Sequence, residues 1–454
     1  MENVSSNNGM VVGLDIGTTK IATVIGFRND NGQIEVVGYG KSESSGVEFG
    51  EIKNIIKTTE GIVLSKDIAA QRSNQEIDWV YAGIAGHHIK TSKYNHILYR
   101  HGNENPISRE EIEQLKKDVS VVTLPPGEEI IDVIPQGYQI DRSRYTVDPV
   151  GELGNEVIGV YQIISGNERE IKKIVKCVND ASLNIRDIVL EPIASGLACL
   201  SDREKQEGVV LVDIGGGTTD MVIFVDGSPV FTKVIPIGGN IITKDIAQVC
   251  RISEDVAEQL KVRYGTCVVE KSNANNMITI PRPYGQDPIQ ISEYNLAQII
   301  NRRVQEEIVN VVKSEVENSG YKDRLFAGLV LTGGGANLRN IKELCQFSLQ
   351  LPTRIGVPDS SFAHNIPTEL KHPMFATALG LLKFGIATEY KEMPVEETVV
   401  EEEKPERKRG GLFGGRKKEP KAPKEPKKEK EKAPGLDIFS KIPPYLKDLL
   451  ERIS

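Results

Sequence analysis

Residues 209–227, VVLVDIGGGTTDMVIFVDG, carry the densest set of groups that could handle a phosphate. Gly215, Gly216 and Gly217 separate two apolar, β-branched runs; Asp213 precedes them, and Thr218, Thr219 and Asp220 follow. Apolar run, glycine turn, apolar run reads as a β-hairpin. Such a turn exposes backbone N–H groups and admits a phosphate that a Cβ would block. Asp213 and Asp220 would repel phosphate directly. They suit a hydrated Mg²⁺, which keeps several waters and is held by few carboxylates. A lone Gly-Gly-Gly favours a plain hairpin turn, and repetition overturns that reading. Residues 11–26, VVGLDIGTTKIATVIG, repeat the pattern, with Asp15, Gly17, Thr18, Thr19 and Lys20 around the turn. Self-similarity at this separation implies two related halves facing each other across a cleft. A third piece fits. The apolar run at 327–331 ends in Thr332, Gly333, Gly334, Gly335 and Ala336, where glycines let the backbone approach a flat base or ribose.

The elements that must position these groups read as an α/β chain. Strands are expected at 34–40, 79–84 and 185–190, with helices from 55 towards Ile77 and over 168–181. Glu191-Pro192 opens another helix, proline being favoured in a first turn. Glu191 is either a water-orienting group at the cleft mouth or a first-turn acid stabilised by the helix dipole. In the helix 253–264, Glu258 and Lys261 stand one turn apart, as a surface ion pair or as ribose contacts. The helix 295–317 buries Leu296, Ile299, Ile300, Val304, Ile308, Val311 and Val312 and wets Arg302, Arg303, Glu306 and Glu307. The segment 373–384 reads as a buried helix. His87 and His88 lack a neighbouring carboxylate or cysteine cluster in sequence and read as a loop pair.

Composition sets further bounds. A net charge of −8 argues against nucleic acid as a partner. The five scattered cysteines point to a reducing compartment and buried thiols. The N-terminus has no secretory pattern, and no run is long and apolar enough to span a bilayer. Residues 86–165 interrupt the first half. A capping box at Ser108 and Glu111 and strands at 130–138 and 157–164 make them a small α+β insert without a catalytic constellation. Residues 392–403 are acidic and 404–432 are rich in Lys, Pro and Gly, the composition of an extended linker. Apolar residues then return at helical spacing: Phe439, Ile442, Leu446, Leu449, Leu450 and Ile453. An amphipathic helix on a long tether must find a membrane surface or a partner groove.

Two phosphate hairpins with a nucleotide between them is the plan shared by actin, Hsp70 and sugar kinases. In detail, residues 11–386 resemble the FtsA family of bacterial cell-division proteins. The carriers are VVGLDIGTTK, VIPQGYQID, VVLVDIGGGTTD, TKVIPIGGNIITKDIA, KVRYG, GLVLTGGGANL and RIGVP. The resemblance implies an actin/Hsp70-like two-lobed ATPase fold that lacks subdomain 1B and carries an inserted subdomain 1C. Lobe 1 (1A) would span 11–85 and 166–202, the insert 86–165, and lobe 2 203–388 with subdomain 2B at about 243–320. A disordered charged linker at 389–437 and a membrane-targeting helix at 438–454 would follow. It further implies ATP and Mg²⁺ as cofactors, with slow hydrolysis at most. Asp15, Gly17, Thr18, Thr19 and Lys20 match the first phosphate loop, and Asp213 to Asp220 the second. Glu258 and Lys261 fall at the ribose and Gly333–Ala336 at the adenine. The implied partners are the C-terminal peptide of FtsZ, on a surface including Arg303 and Glu306, further copies of the chain in filaments, other divisome proteins, and lipid. The implied location is the cytoplasmic face of the cell membrane at the division septum. Three other readings share the fold. A kinase would need a substrate-side base that no motif supplies and would have no use for the tail, an Hsp70-type chaperone would need a substrate domain after residue 385, and against a PilM-like pilus-assembly protein, which shares the core and insert, the amphipathic tail argues for the FtsA family.

Overall fold

The computed structural model describes residues 9–100, 104–282, 287–358, 361–363 and 365–392. The linker from residue 393 onwards and the expected helix 438–454 lie outside the described residues.

Two five-stranded mixed sheets repeat one another. The first runs Asn184–Leu190, Trp79–Ile84, Val11–Ile16, Lys20–Arg28, Ile34–Glu43. The second runs Ser228–Ile235, Thr219–Val225, Val209–Ile214, Gly328–Thr332, Thr353–Ile355. In each, the strand that ends in the aspartate pairs antiparallel with its hairpin partner and parallel with a strand on its other side. VVGLDI and VVLVDI are buried at every position. Both faces are covered, so these strands read as continuous apolar runs rather than as alternation.

One hydrophobic cluster joins the two sheets. Val11 and Val24 from the first and Leu211 and Val222 from the second meet Phe375, Leu379 and Leu382. The helix Ala376–Glu392 lies between the sheets and crosses Glu191–Cys199 at close range: a Cβ on Gly380 would stand 1.8 Å from the Ala194 carbonyl oxygen. Among the described residues no helix is long and apolar enough to cross a membrane. All five cysteines are buried, and none is in a disulfide.

Two helices depart from expectation. The first stops at Ser73, short of Ile77, because Asn74 turns left-handed (φ 53°) and its N–H caps the Ala70 carbonyl. The long helix of lobe 2 is a continuous helical run in three parts: Glu293–Arg303, a π-helical stretch Val304–Val309, and Asn310–Asn318. The wider π turn rotates the stripe, so Val309 is buried beside Val304 and Ile308.

The insert is a four-stranded sheet ordered Lys90–Tyr99, Glu156–Asn167, Glu128–Ile140, Arg144–Thr146, with the helix Arg109–Ser120 packed on it. Both halves of the Ser108–Glu111 capping box are present. The strand Lys90–Tyr99 was not expected; its residues KTSKYNHILY offer little apolar signal, and it is an exposed edge. Where the insert meets the edge strand of the first sheet, burial pushes Asp187 from 3.8 up to about 7, with Asp132 adding repulsion. A raised carboxyl costs nothing below about pH 4 and its full penalty above about pH 7. Asp187→Asn is therefore expected to raise the melting temperature at pH 8 and to leave it unchanged at pH 4, read by circular dichroism.

Candidate functional site

The two hairpin turns close in the same way: Gly17 N–H donates to the Lys20 carbonyl at 3.0 Å, and Gly215 N–H to the Thr218 carbonyl at 2.9 Å. They face each other across the cleft in near contact. A Cβ on Gly216 would lie 1.9 Å from Thr19 Oγ1, and one on Gly217 2.6 Å from Thr18 Oγ1. The threonines of one turn thus fill the space that glycines leave in the other. The helix Gly239–Cys250 starts against the second turn, Gly239 and Asn240 N–H donating to the Gly215 and Gly216 carbonyls at 2.8 Å each.

Between the turns lies a cleft of about 570 Å³. Asp15, Gly17, Thr18, Thr19 and Lys20 line it from one side, and Asp213, Gly215, Gly216, Thr218 and Asp220 from the other. Glu191, Glu258, Lys261, Gly333, Gly334 and Gly335 line it too. Three expected residues do not. Gly217 is packed on Thr18 and the Phe49 backbone, Thr219 Oγ1 donates to the Ile237 carbonyl, and Ala336 is buried in the core of lobe 2. Several lining residues were not singled out, among them Ser42, Asn240, Arg339, His372 and Thr377. Asn240 stands inside the GGN motif; the others carry no sequence signal, because only strand register and helix crossing aim them inward.

Among the described residues six carboxylates line this cleft, and four of them, Asp15, Asp213, Asp220 and Glu191, crowd together. Asp15 is ion-paired with Lys20. Asp213 accepts from Ser195 Oγ at 2.6 Å and Thr377 Oγ1 at 3.3 Å, both buried. Burial, with their negative neighbours, pushes Asp213, Asp220 and Glu191 up from the ordinary carboxylate range. Asp220 accepts from Thr218 Oγ1 at 3.3 Å, and its other oxygen, Oδ1, is buried with no partner. Lys20 pairs with Asp15 and Lys261 with Glu258, so the buried acid of Asp213, Asp220 and Glu191, with an orphaned carboxylate oxygen among it, fits a divalent cation. Among the described residues no three side chains converge tightly enough to ligate one directly. The fit is to a hydrated ion held through its waters.

Glu191 is both things expected of it, the first residue of its helix and a cleft residue. Glu258 and Lys261 form the expected ion pair, with Glu258 half-exposed, and the pair lines the cleft. Lys261 is buried, its Nζ 2.6 Å from Glu258 and donating to the Gly239 carbonyl at 3.0 Å and to Thr243 Oγ1 at 2.8 Å; burial pulls its pKa down. Arg303 and Glu306 lie outside the cleft lining. Arg303 is not simply part of a wet face: it grips Asp245 with two hydrogen bonds, 2.6 and 2.9 Å, and Glu307 with one of 2.9 Å. Glu306 stays exposed, 3.5 Å from Arg302. His87, read as having no carboxylate nearby, has Glu51 at 2.8 Å, brought in by the fold.

The family model described as "Cell division protein FtsA" matches residues 210–380, and that described as "SHS2 domain inserted in FTSA" matches 86–165. The cell division protein FtsA of Pseudomonas aeruginosa is 34% identical over 378 residues, 83% of this chain and 89% of that protein. That of Borreliella burgdorferi is 35% identical over 380 residues, covering 83% and 91%. That of Escherichia coli K12 is 30% identical over 388 residues, covering 84% and 91%. Among solved structures, the PilM–PilN type IV pilus biogenesis complex superposes with a TM-score of 0.60 at 16% identity, over 83% of this chain and 98% of that one. MreB5 of Spiroplasma citri bound to ADP gives 0.51 at 16% identity, covering 85% and 98%. These two show an actin-like fold. With relatives at this identity aligned along more than four-fifths of its length, and the insert matched in its place, the chain belongs to the FtsA family of actin-like cell division proteins.

Proposed function

We propose that the chain binds ATP with Mg²⁺ in its cleft, assembles into filaments, and tethers FtsZ through its C-terminal peptide to the cytoplasmic face of the membrane at the division septum. The observation that carries the nucleotide reading is the pair of opposed glycine hairpins around a single cleft, with Asp15, Asp213, Asp220 and Glu191 crowded beside Lys20. In this reading the N–H groups of Thr18 and Thr19 in the first turn and of Gly216 and Thr218 in the second cradle phosphates. Lys20 exchanges Asp15 for phosphate oxygen. Asp15, Asp213 and Asp220 hold the waters of Mg²⁺, which when bound neutralises charge on the phosphates. Glu258 and Lys261 contact ribose, Gly333 to Gly335 hold the base, and Glu191 orients a water if hydrolysis occurs. Titration with a fluorescent ATP analogue, with Mg²⁺ and with EDTA, tests this; equal affinity in the two conditions would remove the metal assignment, and no binding would remove the nucleotide.

The pilus-assembly reading rests on a likeness at 16% identity, which carries fold alone. The FtsA relatives favour cell division.

Two expected results follow for the contacts. Asn167 N–H donates to His88 Nδ1 at 3.2 Å, so the chain enters and leaves the insert at neighbouring points and excising 86–165 leaves ends a short distance apart. That deletion is expected to abolish sedimentable filaments on lipid and to spare ATP binding; normal filaments would give the insert another role. On lobe 2, Glu306→Arg reverses an exposed charge beside Arg302 without touching the Arg303–Asp245 clasp. It is expected to weaken binding of the FtsZ C-terminal peptide about tenfold, by fluorescence anisotropy. Unchanged binding would move the peptide site off this face.

A further inference from the structure

A small hairpin lies where both phosphate turns and both joints of the insert converge. Val47–Glu48 pairs with Glu51–Ile52, and the two turn residues between them, Phe49 (φ 52°) and Gly50 (φ 75°), are both left-handed. This is the geometry of a tight two-residue hairpin turn. Gly50 N–H donates to Thr18 Oγ1 at 3.1 Å. A Cβ on Gly217 would stand 2.9 Å from the Phe49 nitrogen, and a Cβ on Gly50 would stand 3.2 Å from both Thr218 Cγ2 and the Gly86 nitrogen. The tip thus touches the first phosphate turn, the second, and the entry joint of the insert.

The next residue continues the path. Glu51, 7% exposed, stands 2.8 Å from His87 Nδ1 and accepts from Lys53 Nζ at 2.8 Å. The neighbouring His88 accepts from the Asn167 N–H at 3.2 Å through Nδ1. Asn167 ends the strand by which the chain leaves the insert. Entry and exit joints are therefore fastened to each other, and the entry joint is fastened to the hairpin.

We propose that the 47–52 hairpin positions Thr18 for a phosphate and transmits occupancy of the cleft to the insert through Glu51 and His87. This rests on the nucleotide reading above. A threonine hydroxyl has two lone pairs and one proton. Gly50 N–H takes a lone pair, which leaves the proton free to donate to a phosphate oxygen. Hydrogen bonds in a chain polarise one another, so a phosphate accepting from Thr18 strengthens the bond from Gly50. A hairpin held more tightly on the first turn holds Glu51, and with it His87 and the joint, more tightly too. Contiguous contact alone does not establish coupling, so the test must perturb the path without disturbing the site.

Hydrogen exchange on the full chain, with and without MgATP, reads the path, while titration with the fluorescent analogue reads the site. In the wild type, MgATP is expected to slow exchange at Gly50, at 86–89 and at 166–168 by about fivefold, the worth of one hydrogen bond. His87 is exposed, so His87→Ala should fold normally and keep its ATP affinity within about twofold. Gly50 should still slow in this variant, and the joints should no longer respond. Glu51→Gln, which keeps shape and loses charge, should behave alike. Joints that stay unchanged in ATP-bound wild type, or that respond in His87→Ala as in wild type, would overturn the relay and leave nucleotide binding standing. A wild type that fails to bind ATP would overturn the reading beneath it, and the relay with it.

Discussion

Asp213→Ala is expected to weaken ATP binding in Mg²⁺ by about ten- to a hundredfold, the loss of one charge-assisted interaction of roughly 1.5–3 kcal/mol. The carboxylate stands at the end of a wholly buried strand, and Ser195 and Thr377 aim it into the cleft. Without it, a hydrated cation loses one of the groups that hold its waters. The fold should not suffer. Asp213 is one of four crowded acids, and its removal relieves repulsion on Asp15, Asp220 and Glu191. The melting temperature without ligand should hold or rise slightly. In EDTA, wild type and variant should converge, because the aspartate acts through the metal. Undiminished affinity in Mg²⁺, with circular dichroism showing an intact fold, would refute the site assignment.

The second large effect concerns the tail, whose residues lie beyond those the structure describes. Leu446→Glu with Leu449→Glu is expected to release the protein from vesicles while leaving ATP and FtsZ-peptide binding as they are. The argument is one of burial. Phe439, Ile442, Leu446, Leu449, Leu450 and Ile453 recur in the sequence at the spacing of one helical stripe. Each large apolar side chain is worth roughly 1.5–3 kcal/mol at full burial, and less at interfacial depth. Two glutamates at the centre of the stripe remove two of these and add two charges with no partner in lipid. The sequence 438–454 is nearly charge-balanced, so binding should be only partly sensitive to salt. The linker's Lys and Arg residues supply the part that is, by roughly 1 kcal/mol each near an anionic surface. Truncation at Pro434 should match the double variant in flotation. If either protein still rises with the vesicles, the helix is a ligand for a partner groove.

The parts of this chain most legible in its sequence are those dictated by backbone geometry. VVGLDIGTTK and VVLVDIGGGTTD announce their hairpins because a strand buried on both faces must be apolar throughout and a turn pressed against another must be glycine. The capping box at Ser108 is equally local, since Ser108 and Glu111 satisfy each other within one turn. What depends on tertiary juxtaposition stayed hidden. Nothing near Asp213 in sequence says that Ser195 and Thr377, on two crossing helices, will hold it. Arg303 reads as a solvated charge until the fold brings Asp245 beneath it. His87 lacks a carboxylate partner until the 47–52 hairpin delivers Glu51. The strand Lys90–Tyr99 is polar at alternate positions and lies at a sheet edge, so neither a buried run nor a turn signal marks it.

The central claim is that one chain joins FtsZ to a membrane. Its most direct measurement is flotation of a fluorescent FtsZ C-terminal peptide with anionic vesicles, MgATP and the full chain. The peptide should rise with the vesicles when the chain is present and stay at the bottom when the chain is omitted or carries the Leu446→Glu, Leu449→Glu pair. Vesicles that float with the chain bound and leave the peptide behind would contradict the account.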